Sequence, residues 1–208
     1  MGRPETNWVR VNAMTELGNG LHDAGHNEDA LTVREAELAM RRRLDAPDDH
    51  ILVVQNNLAC TYDELDRLEE ALRLRKDVYS ARLKHNGQEH EDTLRAANNY
   101  AGSLNGLKRF EEAKALLCKM LPVAQRVLGN NDQVTLMMGG CYAEALCRDP
   151  AATLDDLREG VTTIEGNLRI ARRVLGGAHP AIAGIESDLQ RARAALRTRE
   201  MLSTTRES

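Results

Sequence analysis

Four residue pairs, Leu17-Gly18, Leu58-Ala59, Tyr100-Ala101 and Tyr142-Ala143, recur along the chain at steps of 41, 42 and 42 residues. Each sets a large side chain beside a small one. A second large residue follows a turn later at Leu21, Tyr62, Leu104 and Leu146, and a second small one at Ala30, Ala71 and Ala113. A repeat of this length accommodates a pair of helices that cannot bury its apolar face alone, so copies must stack and close one another's cores. Chains built this way present surfaces more readily than they enclose reaction chambers.

Composition agrees with helices and excludes several classes of partner. The 208 residues hold one Phe, one Trp and four Tyr, while Ala, Leu, Arg and Glu abound, which favours helix over strand. With 28 basic against 32 acidic side chains, no broad positive field exists to attract nucleic acid or an anionic membrane, and neither is an expected partner. No run approaches the roughly 18 apolar residues of a membrane-spanning helix. The opening MGRPETNW lacks an apolar signal core, and the four cysteines, Cys60, Cys118, Cys141 and Cys147, contain no CxxC pair. Reduced thiols in a cytoplasmic protein are expected. Gly2 and Thr6 fit the loose myristoylation pattern, against which the Arg3-Pro4 context counts.

Helix punctuation follows the ladder. Ten residues ahead of each rung stands a start signal: Asn7, Asp48, His90, Asp132 and, for a fifth rung at Leu189, His179, with Pro180 at the first helical position. Second helices are expected at about 28–44, 68–85, 110–128 and 153–175, closed by Pro47 or by Gly87, Gly129 and Gly176-Gly177. The clusters Arg41-Arg42-Arg43 and Arg172-Arg173 fall in last turns, where they meet the negative end of the helix dipole. The step from Tyr142 to Leu189 is 47 residues, so the fourth hairpin carries about five extra, divided between its turn and a longer second helix. A final unpaired helix, rich in Arg and Ala, reads as the polar cap of an open stack.

The runs Asn56-Asn57-Leu58-Ala59-Cys60-Thr61-Tyr62, Arg67-Leu68-Glu69-Glu70-Ala71-Leu72, Arg109-Phe110-Glu111-Glu112-Ala113 and Arg126-Val127-Leu128-Gly129 resemble the tetratricopeptide repeat in its kinesin-light-chain variety. The resemblance covers residues 7–198. It is strong in the second and third repeats and weak in the fourth, where Gly139-Gly140 stands in place of an Asn pair and the Ala after the turn is missing. It implies an all-α, right-handed α-solenoid of four antiparallel helix hairpins plus a C-terminal capping helix. Repeats are placed at about 7–47, 48–89, 90–131 and 132–178, the cap at 179–198, and flexible tails at 1–6 and 201–208. It also implies that the first, or A, helix of each hairpin lines a concave groove for an extended peptide or a partner helix, and that no catalytic residues or cofactors are present.

Register selects the groove residues. If Leu58 and Tyr62 pack inward, the opposite stripe of that helix is Val53, Asn56, Cys60 and Asp63. The same offsets give Asn12, Thr15, Asn19 and His22 in the first repeat, Arg95, Asn98, Gly102 and Asn105 in the third, and Met137, Gly140, Glu144 and Cys147 in the fourth. Asn is a poor helix-interior residue, and a stripe of them has a reason if each carboxamide bonds a peptide backbone without reading its sequence. The competing account is that Asn56 and Asn98 bond neighbouring helices or stand in water, and Asn57 and Asn99 lie nearer the helix interface. Only Arg95 brings fixed positive charge, so the stripe departs from the carboxylate-clamp version of these repeats.

Other chemistry is not expected. His22 and His26 are separated by Gly25, which breaks the helix that would have set them on one metal-binding face. Cys141 and Cys147, six apart, do not share a face, and Glu69-Glu70 and Glu111-Glu112 occupy first turns, where they favour the dipole. The Gly139-Gly140 pair costs helix stability and points to a close approach by a packed helix, to repeat decay or to a ligand. A non-catalytic interaction module with a protein or peptide partner is the leading expectation, its oligomeric state open with a monomer slightly favoured. The alternative is an assembly subunit, or the repeat segment of a larger regulatory protein, that associates through its ends or outer face.

Overall fold

A computed structural model describes the backbone of residues 4–207 and the side chains of residues 7–202. The chain falls into two compact units, Met1–Ala81 and Arg82–Ser208. The first holds α1 (Pro4–Asp23), α2 (Asn27–Arg43), α3 (Asp48–Glu64) and most of α4 (Leu68–Asn86). The second begins in the last turn of α4 and continues through α5 (Glu91–Gly106), α6 (Phe110–Val127), α7 (Gln133–Arg148), α8 (Leu154–Leu175) and α9 (Pro180–Glu207). No strand occurs among the described residues.

The ladder is the core. Ala59, Ala101, Ala143, Ala30, Ala71 and Ala113 have no solvent exposure at all, and Leu104 and Leu146 are almost as deeply buried. In the first unit Leu31 and Leu38 of α2 pack against Val54, Leu58 and Tyr62 of α3. In the second, α6 packs on both α5 and α7, α5 also touches α7, and α7 packs on α8. Ile182, Leu189 and Ala192 of α9 then close over Ile164, Leu168 and Ala171 of α8. The fourth repeat does have its second small residue: Gly160, which follows Ala113 by the same 47 residues that separate Tyr142 from Leu189. A Cβ at Gly160 would collide with the Cys147 thiol and lie 3.4 Å from Leu146 Cβ, so α7 and α8 approach more closely than alanine allows.

Turn chemistry repeats with the same period. The first three hairpins turn through a left-handed residue, Gly25 (φ 77°), Asp66 (φ 57°) and Lys108 (φ 59°). Each is followed by a backbone N–H, from His26, Arg67 and Arg109, that donates 2.8 Å back to the carbonyl of Leu21, Tyr62 or Leu104. That six-to-one bond closes a Schellman turn. The fourth hairpin departs because α7 ends at extended Asp149 (φ -68°, ψ 121°). Asp149 Oδ1 instead accepts the Ala151 N–H at 2.8 Å, and α8 starts from a capping box between Thr153 and Asp156. The extra residues thus lengthen both the turn and the helix.

Three boundaries differ from the sequence expectation. Asn7 lies inside α1 and does not cap it, because Pro4 already opens the helix. Pro47, not Asp48, precedes the first residue of α3. At the other end α9 runs to Glu207 rather than stopping near 198, since no Gly or Pro interrupts its last turns. The backbone of residues 4–6 and 201–207, expected as flexible tails, is therefore helical, while residues 1–3 and 208 lie outside the described residues. His90 and Asp132 cap as expected, accepting the backbone N–H of Asp92 at 3.2 Å and of Val134 at 2.8 Å.

The α8 start generates a pH signature. Asp156 accepts from the Thr153 hydroxyl at 2.7 Å and the Thr153 N–H at 2.9 Å, and it pairs with Lys114 of α6 at 3.0 Å. These bonds to the charged form hold its carboxyl down to about 2, below the ordinary value near 3.9. The stabilisation is fully present above that ordinary value and is lost as pH falls through about 2. Denaturant unfolding followed between about pH 4 and pH 2 should therefore fall less steeply in Asp156→Asn than in the wild-type chain.

Candidate functional site

The expected binding stripe separates into three behaviours once side chains are placed. The first ladder row, Asn12, Val53, Arg95 and Met137, is exposed on all four A helices. Val53 and Met137 are each 49% exposed, large apolar side chains left in water on otherwise well-packed helices. Arg95 pairs with Glu91 one turn back, at 2.5 Å on the open surface, where such a pair is weak and readily exchanged.

A second set is held by arginines reaching in from the B helices, α2 and α4. Arg34 of α2 is buried and donates to Asn19 Oδ1 at 3.2 Å, to the Asn57 carbonyl at 2.9 Å and to the Thr61 hydroxyl. It passes so close to α1 that a Cβ on Gly18 would lie 3.1 Å from its Cγ, which is why the first rung has glycine where the others have alanine. Burial lowers its pKa, and the charges of Cys60, Glu37 and Asp23 oppose that fall. In α4, Arg75 pairs with Asp63 at 2.5 Å and reaches Cys60 Sγ at 3.7 Å. Burial raises the Asp63 carboxyl against the pull of Arg75. Thr15 joins a related knot, donating to Glu37 at 2.6 Å and accepting from Arg41 at 3.0 Å. Arg41 is thus buried in a pair with Glu37 at 2.8 Å, while Arg42 and Arg43 stay exposed.

The third set lies within the second unit's packing. Asn105 is 1% exposed, and its Nδ2 donates to the Cys141 carbonyl at 2.9 Å and to Glu144 at 3.3 Å, tying α5 to α7. Glu144 also takes the Arg148 guanidinium. Asn98 is buried with its carbonyl oxygen unpartnered among the described residues. Asn56 is half-buried. The structure therefore brings Asn105 and Glu144 into one hydrogen-bonded group, and Cys60 and Asp63 into another around Arg75.

Arg34, Glu37 and Arg75 were not anticipated. Their signal was a register comparison between B helices: positions 34 and 75 correspond to Leu117 and Ile164, so an arginine stands where the later repeats bury an apolar side chain. Gly139 and Gly140 also separate. A Cβ at Gly139 would come within 2.9 Å of the Asn167 amide, which donates to the Leu136 carbonyl at 2.9 Å, whereas Gly140 faces open space.

Residues 51–92 and 93–133 match the tetratricopeptide-repeat family model. The chain therefore carries two tetratricopeptide repeats, over residues 51–133. Its fold is that of kinesin-light-chain-like repeat proteins, an all-α helical-repeat solenoid. A crystal structure of the nearly identical tetratricopeptide-like repeats of a Podosopora anserina protein of kinesin-light-chain type aligns with a TM-score of 0.74 at 22% identity, covering 100% of this chain and 94% of that one. A point variant of the same Podosopora anserina repeats aligns at 0.75 and 21% identity, with the same coverage. BtubC (BKLC) from P. vanneervenii aligns at 0.68 and 17% identity, covering 96% of this chain and 84% of that one. At these identities the likeness is one of fold. No curated protein gives a significant match to the sequence.

Tetratricopeptide repeats are protein-interaction scaffolds, and of the four thiols here Cys118 is exposed while Cys60, Cys141 and Cys147 are partly buried. Burial pushes Cys141 up to about 12, assisted by the Glu144 charge, and Cys147 up to about 11. Both are protonated near neutrality, the state least suited to nucleophilic attack or metal ligation. No cluster of three His, Cys, Asp or Glu side chains that could hold a metal occurs among the described residues. No described helix is long and apolar enough to cross a membrane.

Proposed function

We propose that the chain is a non-catalytic adaptor that holds an extended peptide or a partner helix against the exposed faces of its A helices. The observation that carries this reading is an exposed pair on the A helices of each unit, Asn12 and Val53 in the first and Arg95 and Met137 in the second, all at one register position. Val53 and Met137 offer apolar anchors, of the kind that dominates binding when covered. Asn12 and Arg95 offer hydrogen-bond donors beside them. Asn19, Cys60 and Asp63 then act as a layer held in place by Arg34 and Arg75, and Asn98, Asn105 and Glu144 do the same from within the second unit. Their polar groups set the shape and polarity of the face and are not its main contact atoms.

Peptides selected from a displayed library against the intact chain provide the test. Val53→Asp and Met137→Asp leave the unfolding midpoint unchanged, because both side chains are already in water, and weaken the selected peptides by more than about tenfold. Undiminished binding to both variants would remove the A-helix face from the account.

A second reading, assembly through an end, has one observation of its own. Leu17 occupies the ladder position of Leu58 and Tyr142, which are 4% and 8% exposed, yet it is itself 53% exposed. Val9, two turns earlier on the same side of α1, is 69% exposed. Multi-angle light scattering across a hundredfold concentration range, with Leu17→Asp as the control, distinguishes the readings: an oligomer that the substitution dissolves favours assembly, and a monomer throughout excludes it.

A further inference from the structure

The fourth hairpin departs from the ladder in one connected place. A cleft of about 370 Å³ opens between α6 and α8, with α7 beneath it, and Leu121, Tyr142, Glu159, Thr163, Asn167 and Ile170 are among its lining residues. On the second and third B helices the positions of Thr163 and Asn167 are Leu74 and Val78 in α4, and Leu116 and Met120 in α6, while the first, α2, has Val33 and the buried Glu37 there. Val78 and Met120 are buried and Leu74 packs against the core. Exchanging two apolar side chains for a hydroxyl and a carboxamide both empties the space and supplies it with polar groups. Gly139 and Gly166 also line the cleft: Gly139 admits the Asn167 amide against α7, and Gly166 leaves open space above the α8 backbone.

A second departure concerns charge. Glu70 and Glu112 occupy one ladder position, and each pairs with the arginine three residues before it: Arg67–Glu70 at 2.8 Å and Arg109–Glu112 at 2.6 Å. The corresponding carboxylate in the fourth hairpin is Glu159, and the residue three before it is Asp156. Glu159 is in no ion pair among the described residues. Its Oε1 is held instead by the Tyr142 hydroxyl at 2.9 Å, itself accepting from Cys118 Sγ at 3.3 Å. The Asn167 carbonyl oxygen is also unbonded among the described residues, its Nδ2 being used on Leu136. Thr135 lines the same cleft at 3% exposure, and its hydroxyl has no partner among the described residues.

We propose that this cleft binds an arginine side chain presented by a partner protein, with Glu159 as the counter-charge. The site offers acceptors in excess of donors around one uncompensated carboxylate, and a guanidinium is the side chain with five donors and no acceptor. Glu159 has Oε2 free for a charge-assisted bond, Asn167 contributes its carbonyl, and Leu121 and Ile170 flank the aliphatic stem. The cleft is separate from the A-helix row: on α7, Gly139 and Tyr142 face it, while Met137 lies on the opposite side of that helix.

The test uses the full-length, nitrogen-15-labelled chain and the capped peptide Gly-Gly-Arg-Gly-Gly, with counterparts carrying citrulline or lysine in place of arginine. The arginine peptide shifts the amide resonances of Gly139 and Gly166, and citrulline, isosteric but neutral, binds at least about tenfold more weakly. Glu159→Gln, on an exposed position, produces a loss of the same size. Thr163→Leu restores the leucine of α4 and α6, abolishes binding and does not lower the unfolding midpoint. Equal binding of the citrulline or lysine peptide, undiminished binding by Glu159→Gln, or shifts absent from these two glycines would each overturn the assignment.

Discussion

Everything else in this chain depends on the contact made where a helix presents a residue no larger than alanine to its neighbour. Ala59, Ala101 and Ala143, with Ala30, Ala71 and Ala113, are wholly buried, and they let each helix approach until the flanking large residues interlock. Interiors packed at crystal-like density tolerate little change in volume, so these positions fix helix spacing in each unit. Where the register calls for a closer approach still, glycine replaces alanine: at Gly18, where Arg34 crosses α1, and at Gly160, where α8 meets Cys147.

That constraint divides labour along each A helix. One side is committed to the ladder and cannot vary without disturbing its neighbours. The other is free, and it carries the exposed row of Asn12, Val53, Arg95 and Met137 on a support of buried polar groups. In the first unit the support is ionic, built on Arg34, Arg41 and Arg75, each drawn out of water and engaged by hydrogen bonds or a carboxylate. In the second it is a carboxamide, Asn105, spanning α5 to α7. The fourth hairpin gives up apolar filling between α6 and α8, and the space that results is polar, bounded by helices on three sides and acidic at Glu159.

Much of this was legible in the sequence because the period is carried by residue size. Large and small side chains alternating at 41 or 42 residues name the buried face, the turns and the helix count together. Binding residues were legible only to the level of a face. The stripe opposite Leu58 was set by geometry, but geometry does not say which members of it are drawn inward by a partner. Asn105 looks like Asn12 in the sequence, and only the carbonyl of Cys141, 36 residues away, distinguishes them. Arg34 was hidden for the same reason, since an arginine on a charged helix reads as surface until Asn19 and Thr61 are brought to it. The exposure of Leu17 depends on what covers α1, which no local pattern records.

Paired substitutions on one helix test the ladder most directly. Ala113 and Ala115 lie two residues apart on α6, the first without exposure and the second in solvent, so intrinsic helix propensity treats them alike. Chemical denaturation of the two leucine variants isolates the packing term. Ala113→Leu is predicted to lose about 1–3 kcal/mol of stability, the usual cost of overfilling a packed site, and Ala115→Leu to change it by less than about 0.5 kcal/mol. Equal effects in the two variants, or a stable and unperturbed Ala113→Leu, would contradict the claim that a small residue at this register sets the fold.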